Sequence, residues 1–259
     1  MKKPAFHIVF LLIISLSLTS TSMAYVLSAE QILAPFLKAY RGVHTIKVDM
    51  KTTMYGDLSG KQEITEQLLI QEEGLFRSER RFPQGDNILV QDGRRAVAIG
   101  VETTRSGGRR IDTVFPTIFF QKSVVDLLNA LNFLGVDTQT VGLDRIERKM
   151  VFAIGRDLAE GPRSRLWIER ERRLPLRFVG VGISAGETVV LRAEYLDYRQ
   201  MNKDFWFPAR IEYYSNDTLS AISILRNISV NETLPETLFN IPQGGESVFP
   251  VPDFINIKE

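Results

Sequence analysis

Residues 46–70 read IKVDMKTTMYGDLSGKQEITEQLLI, and this stretch decides the fold class. Ile46, Val48 and Met50 alternate with Lys47, Asp49 and Lys51, the period of two that marks a half-buried strand. Gly56-Asp57 and Ser59-Gly60 then supply a hairpin turn, and Ile64, Leu68 and Ile70 alternate with Thr65, Gln67 and Leu69 on the way back. Two strands joined so tightly can only be antiparallel, because a parallel pair needs a long crossover.

The same pattern continues outward. Further strands are expected near 75–82, 87–91, 94–101, 148–154, 164–169, 174–181, 187–198, 205–214 and 218–230. Pro83-Gln84-Gly85-Asp86, Asp92-Gly93, Gly161-Pro162 and Ser184-Ala185-Gly186 separate them as turns. Consecutive strands with short turns make an antiparallel meander. Two segments read as helices. One opens at Ser28 with Gln31 in a capping-box position, carries Ile32, Leu33, Phe36, Leu37 and Tyr40, and stops at Gly42. The other starts near Ser123, carries Val124, Val125, Leu127, Leu128, Leu131 and Leu134, and ends at Gly135. So apolar a helix needs partners on more than one side. A mainly β chain with two helices therefore predicts an unclosed antiparallel β-barrel covered by helices. Periodicity leaves open whether its interior is filled or hollow.

The N-terminus predicts export. Lys2 and Lys3 precede an apolar stretch from Phe6 to Leu18, and Ser22-Met23-Ala24 places small residues at −3 and −1 of a cleavage site. Thirteen residues are too few for a membrane span, which needs roughly 20. The expectation is a signal peptide over residues 1–24, cleaved after Ala24, and one periplasmic domain over 25–259. Loss of Lys2 and Lys3 from 32 basic residues, against 31 acidic ones, leaves a slightly acidic chain without the excess charge of a nucleic-acid binder. Arg105, Arg109 and Arg110 around Gly107-Gly108 read as a solvated hairpin tip. No cysteine is present, so there are no disulfides, no thiolate metal sites and no thiol for acylation behind the signal peptide.

Little in the sequence suits catalysis. Gly182-Ile183-Ser184-Ala185-Gly186 matches the G-x-S-x-G elbow, but a strand, Thr188 to Arg192, follows where that motif needs a helix. His44 is the one histidine beyond the signal peptide, so a triad or a histidine metal site would hang on a single residue. Glu72-Glu73 and Glu169-Glu171 read as solvated strand and turn residues, and no nucleotide-binding fingerprint occurs. No catalytic residue, metal or cofactor is expected. Asn216-Asp217-Thr218, Asn227-Ile228-Ser229 and Asn231-Glu232-Thr233 match the glycosylation sequon, silent in a bacterial export system. The aromatic residues admit two readings. Phe115, Phe119 and Phe120 with Ile118, and Phe205-Trp206-Phe207, are ordinary core or the lining of a lipid-sized cavity under a movable helical lid.

Glu73-Gly74-Leu75-Phe76-Arg77, followed by Asp86-Asn87-Ile88-Leu89-Val90-Gln91-Asp92-Gly93, resembles the outer-membrane lipoprotein carrier (LolA) family. Leu174-Pro175-Leu176-Arg177, Trp206-Phe207-Pro208 and the ending Val230 to Phe239 are similar to that family too, in the same order along the chain. The resemblance implies acyl chains held in an apolar interior by a monomeric carrier. Its cargo would be a lipoprotein or other lipid, taken from an inner-membrane transporter and passed to an outer-membrane receptor. Two departures stand out: carriers have a basic residue where this chain has Glu72, and 102–160 has no counterpart. A periplasmic sensor or scaffold acting through a protein partner is the alternative on the same fold. Candidate wall residues are Ile46, Val48, Met50, Leu68, Ile70, Phe76, Ile88 and Val90; candidate lid residues are Ile32, Leu33, Phe36, Val124, Leu128 and Leu131. Each acyl methylene buried there is worth about 0.8 kcal/mol.

Overall fold

The computed structural model describes residues 27–56, 60–72, 75–82, 85–92, 96–100, 114–121, 123–156, 161–184, 186–241 and 246–248. The expected signal peptide, the arginine cluster at 105–110, and Asp57, Ser59, Glu73, Gly74, Pro83, Gln84, Gly93 and Ala185 lie outside the described residues.

The opening hairpin forms as its alternation demands. Strands β1 (Thr45–Gly56) and β2 (Gly60–Gln71) pair antiparallel in continuous register from Thr45↔Gln71 to Gly56↔Gly60. Next come β3 (Leu75–Phe82), β4 (Gly85–Asp92) and β5 (Ala96–Gly100). After the helices follow β6 (Val141–Ile146), β7 (Lys149–Ile154), β8 (Arg165–Glu169), β9 (Pro175–Ser184) and β10 (Glu187–Leu196). A small separate ribbon, β11 (Arg199–Gln200) with β12 (Trp206–Phe207), precedes β13 (Arg210–Ser215), β14 (Thr218–Val230) and β15 (Glu246–Val248).

One 13-stranded sheet results, in the order β15-β5-β4-β3-β2-β1-β14-β13-β10-β9-β8-β7-β6. Its two halves are meanders, and the long β14 closes the second against β1 of the first. The end strands β15 and β6 do not pair with each other, so the barrel is unclosed, as expected.

Helix α1 (Ala29–Tyr40) starts at the predicted N-cap. Ser28 Oγ accepts from the Gln31 amide at 3.3 Å, and Gln31 Oε1 accepts from the Ser28 amide at 3.0 Å. Helix α3 (Val124–Phe133) is N-capped by Ser123, whose Oγ accepts from the Asp126 amide at 3.1 Å and donates to Asp126 Oδ2 at 2.7 Å. Between them lies a short helix that the sequence reading missed, α2 (Val114–Phe119). All three bury side chains in one cluster that reaches from Val48 and Leu68 to Phe152, Ile154, Tyr195 and Ile211. That continuity across both halves requires the sheet to curve around the helices.

Several expectations are corrected in detail. The strand expected over 205–214 breaks at Pro208, which has no N–H for a ladder, and its first part joins the small ribbon. Glu169 is buried and takes Arg172 Nε at 2.8 Å, so it is no solvated residue. The three sequon asparagines are structural: each takes a positive φ (45°, 47° and 61°). Asn231 accepts from the His44 amide at 2.8 Å and donates to the Gly42 carbonyl at 2.8 Å. That ties the end of β14 to the turn between α1 and β1.

Candidate functional site: the helix-covered inner face

In an antiparallel pair, directly opposed residues point to the same side. The register therefore reads out the inner face row by row. Ile46, Ile70 and Phe76 form one row, and Val48, Leu68, Ser78 and Leu89 the next. Ile46, Val48, Met50 and Leu68 are buried in the cluster under the helices, with Ile70 and Phe76 packed at its border. These six wall candidates converge as predicted.

Ile88 and Val90 do not. They oppose Glu79 and Arg77, which places them on the outer face; Leu89 is the inward residue of β4. Alternation could not reveal this, because Ile88-Leu89-Val90 is apolar on both sides. The outer side is apolar for a reason: the 3-10 helix Glu236–Phe239 packs against β3 and β4, and Arg77 donates to the Leu238 carbonyl at 2.9 Å.

Every lid candidate reaches the cluster. Ile32, Leu33, Phe36 and Leu131 are fully enclosed, while Val124 and Leu128 pack at the border. The missed helix α2 adds Phe115 and Phe119 to the cluster. Phe119 meets Phe36 at 5.7 Å, Tyr195 at 5.0 Å and Phe207 at 6.1 Å between ring centroids. Phe115 packs on Phe119 at 4.8 Å and on Phe207 at 5.6 Å. Tyr40 completes the group, edge-on to Phe36 and Phe205 at 4.9 and 4.6 Å. Between sheet and helices, side chains of all three helices pack into this one buried cluster.

Two donors inside this cluster are unsatisfied. The hydroxyls of Tyr40 and Tyr195 are buried without a hydrogen-bond partner among the described residues. Burial pushes both phenols well above their ordinary range, so each stays a neutral O–H donor. Leaving such a group unpaired costs about 1–3 kcal/mol, a cost removed when a carbonyl oxygen arrives.

The residues screened for chemistry are not assembled for it. Glycines 182 and 186 bracket a strand-turn-strand hairpin, with Gly186 at φ +83° and Glu187 opposite Ser184, instead of the strand-turn-helix of a nucleophile elbow. His44 is elsewhere, its Nδ1 at 2.6 Å from Glu72 Oε1. Thus Glu72, which replaces the basic residue of the carriers, is tied to the base of the α1–β1 turn. Among the described residues no group of three or more His, Asp or Glu is placed to hold a metal. No helix among them is long and apolar enough to cross a membrane.

The class defined by these features is a helix-lidded, unclosed antiparallel half-barrel, LolA-like in fold, with an apolar interior. The chain is similar to several solved structures. A candidate outer membrane lipoprotein-sorting protein domain from Vibrio parahaemolyticus superposes with a TM-score of 0.50 at 13% identity, over 82% of this chain and 97% of that one. A DUF1329 family protein from Desulfovibrio piger gives 0.52 at 9% identity, over 82% and 95%. A LolA superfamily protein from Nitrosomonas europaea gives 0.49 at 10% identity, over 83% and 99%. No family model matches the chain, and no curated protein is significantly similar to it in sequence.

Proposed function

We propose that this chain is a periplasmic carrier of acyl-bearing cargo, a lipoprotein or another lipid, that works without covalent chemistry. Its acyl chains lie along Ile46, Val48, Met50, Leu68, Ile70 and Phe76 once the side chains of α1, α2 and α3 move out of the way. The observation that carries this reading is the lid. The inner face is sealed by three short helical segments, whose apolar side chains an acyl chain can replace at little net cost. Burying one chain of lipid length returns about 0.8 kcal/mol per methylene, so affinity is easily reached and the lid's own burial offsets it, which permits release. The unpaired Tyr40 and Tyr195 hydroxyls supply donors for an ester or amide carbonyl. The relative from Vibrio, described as a lipoprotein-sorting domain, supports the same reading.

Residues 1–24 act as a cleaved signal peptide, and 25–259 work as one domain. A transporter in the inner membrane and a receptor in the outer membrane are the partners this role implies.

Native mass spectrometry of the mature protein, purified without detergent, tests the proposal. The expected result is bound diacyl lipid or lipopeptide, lost in a Leu128→Asp variant that remains folded by circular dichroism. A lipid-free mass that does not change on incubation with lipid vesicles or a diacyl lipopeptide would reject it and favour the sensor or scaffold.

A further inference from the structure

The inner face is not apolar throughout. Along the row that follows Val48 and Leu68, Met50 stands opposite Glu66 and Leu225, Glu66 opposite Arg80, and Arg80 opposite Asn87. Glu66 is only 6% exposed, yet it faces the same side as Leu68 and Met50. Its carboxylate accepts from Ser78 Oγ at 2.5 Å and is ion-paired with Arg80, whose Nε lies 3.0 Å away. Ser78 and Asn87 are buried beside it, and one row further Thr52 shares a 2.7 Å hydrogen bond with buried Ser223.

An ion pair in such a place contributes little to stability, because desolvation cancels the attraction and apolar residues of equal volume serve packing as well. A carboxylate and a guanidinium on neighbouring strands, at the end of the apolar rows, do have one chemical complement. It is an amphiphile whose headgroup carries an anion and a cation within a few bonds. Such a ligand exchanges partners with the pair. Arg80 trades the carboxylate for a phosphate, which suits a planar donor fork, and Glu66 trades the guanidinium for an ammonium. Each buried charge keeps an opposite charge throughout, and Ser78 and Asn87 remain at hand as neutral hydrogen-bonding groups.

We propose that Glu66, Ser78 and Arg80 form a headgroup subsite for a zwitterionic phosphodiester lipid of the phosphatidylethanolamine type, its acyl chains on the adjoining apolar rows. This rests on the carrier reading and names the cargo class for it.

The test offers the mature protein vesicles of phosphatidylethanolamine and phosphatidylglycerol in equal amounts with identical acyl chains, then re-isolates it and quantifies bound lipid. The expected result is roughly tenfold enrichment of the ethanolamine lipid, the discrimination of one charge-assisted hydrogen bond. Glu66→Gln shifts the preference toward the anionic glycerol lipid, since Arg80 then acts alone. The paired replacement Glu66→Met with Arg80→Leu abolishes the preference while total lipid per protein stays within twofold of the parent, roughly the scatter of such substitutions. Free phosphoethanolamine competes only weakly if the acyl chains supply most of the affinity; displacement of lipid at equimolar phosphoethanolamine would assign the site to a soluble phosphate ester and overturn the proposal. Bound lipid that mirrors the vesicle composition, or a preference unchanged in both variants, would also overturn it and leave the carrier reading intact. Absence of any bound lipid would overturn both.

Discussion

The two faces of the sheet seal themselves by opposite means. On the inner face, apolar rows are covered by helices whose contacts are almost wholly van der Waals. On the outer face of β6 to β10 and β13, a second apolar cluster of Val151, Ala153, Trp167, Leu176 and Val179 is covered by the sheet's own charged side chains. Arg165 and Arg177 lie over the Trp167 ring at 5.3 and 5.8 Å, and its indole N–H donates to Asp144 at 2.9 Å. Arg177 Nε reaches Glu194 at 2.7 Å, and Arg192 stacks on Tyr214 at 4.1 Å. Pro162, Trp167, Arg177, Val190 and Arg192 line a cleft of about 340 Å³ there. Directional hydrogen bonds and stacked guanidiniums fix one arrangement, whereas dispersion contacts accept any apolar partner. The outer face is thus held by directional contacts, whereas the helix-covered inner face is held mainly by dispersion.

The comparison breaks most easily at its two aromatic anchors. Trp167→Ala is expected to cost about 3–5 kcal/mol in urea unfolding, the usual price of a buried aromatic, with lipid uptake per folded molecule unchanged. Phe119→Ala should cost up to about the same in the apo protein, but here bound lipid should restore much of the loss. Equal rescue of both variants by lipid would erase the distinction between the faces.

A smaller effect sharpens it. Ser28→Ala removes the capping box of α1 and should cost about 1 kcal/mol. If α1 acts as a lid, stopped-flow uptake of a fluorescent fatty acyl probe should become faster, whereas an unchanged rate would show that α1 does not move.

Much of this division was legible from the sequence. The capping box at Ser28, the helix start near Ser123, the opening hairpin and the shared inner face of six wall candidates follow from local rules that tertiary contacts did not override. Other features depended on information that a local pattern lacks. Helix α2 spans only six residues, VFPTIF, too short to show a helical period. Strand β6 is an edge strand in which apolar Leu143 is exposed and polar Asp144 and Arg145 follow, so VGLDRI shows no clean alternation. Ile88 and Val90 were assigned to the wrong face since a C-terminal segment some 150 residues away covers them. The ion pair at Glu66 and Arg80 was invisible for the same reason: charges in an alternating strand read as solvated until the register shows what they face.

The smallest expected effect is electrostatic and confined to the outer face. The Trp167 N–H, opposed by partial burial and aided by the Arg145 amide, holds the Asp144 carboxyl below its ordinary range. Ionised Asp144 therefore stabilises the fold above the usual carboxylate pKa, and that contribution is lost as pH falls through the depressed value. Glu194 behaves oppositely. Burial raises its pKa despite Arg177, so its contribution opposes folding at neutral pH and recedes as it takes up a proton. Asp144→Asn should flatten the acid limb of the stability curve slightly, and an unaltered limb would remove Asp144 from the account.

Hydrogen–deuterium exchange of the mature protein, alone and loaded with diacyl lipid, addresses the central claim most directly. The account predicts that amides of α1, α2 and α3 lose protection on loading while those of β7 to β10 stay as slow as before, since only the lid exchanges its contacts. Lipid binding that leaves all three helices as protected as in the apo protein, or that loosens the outer strands instead, would contradict it.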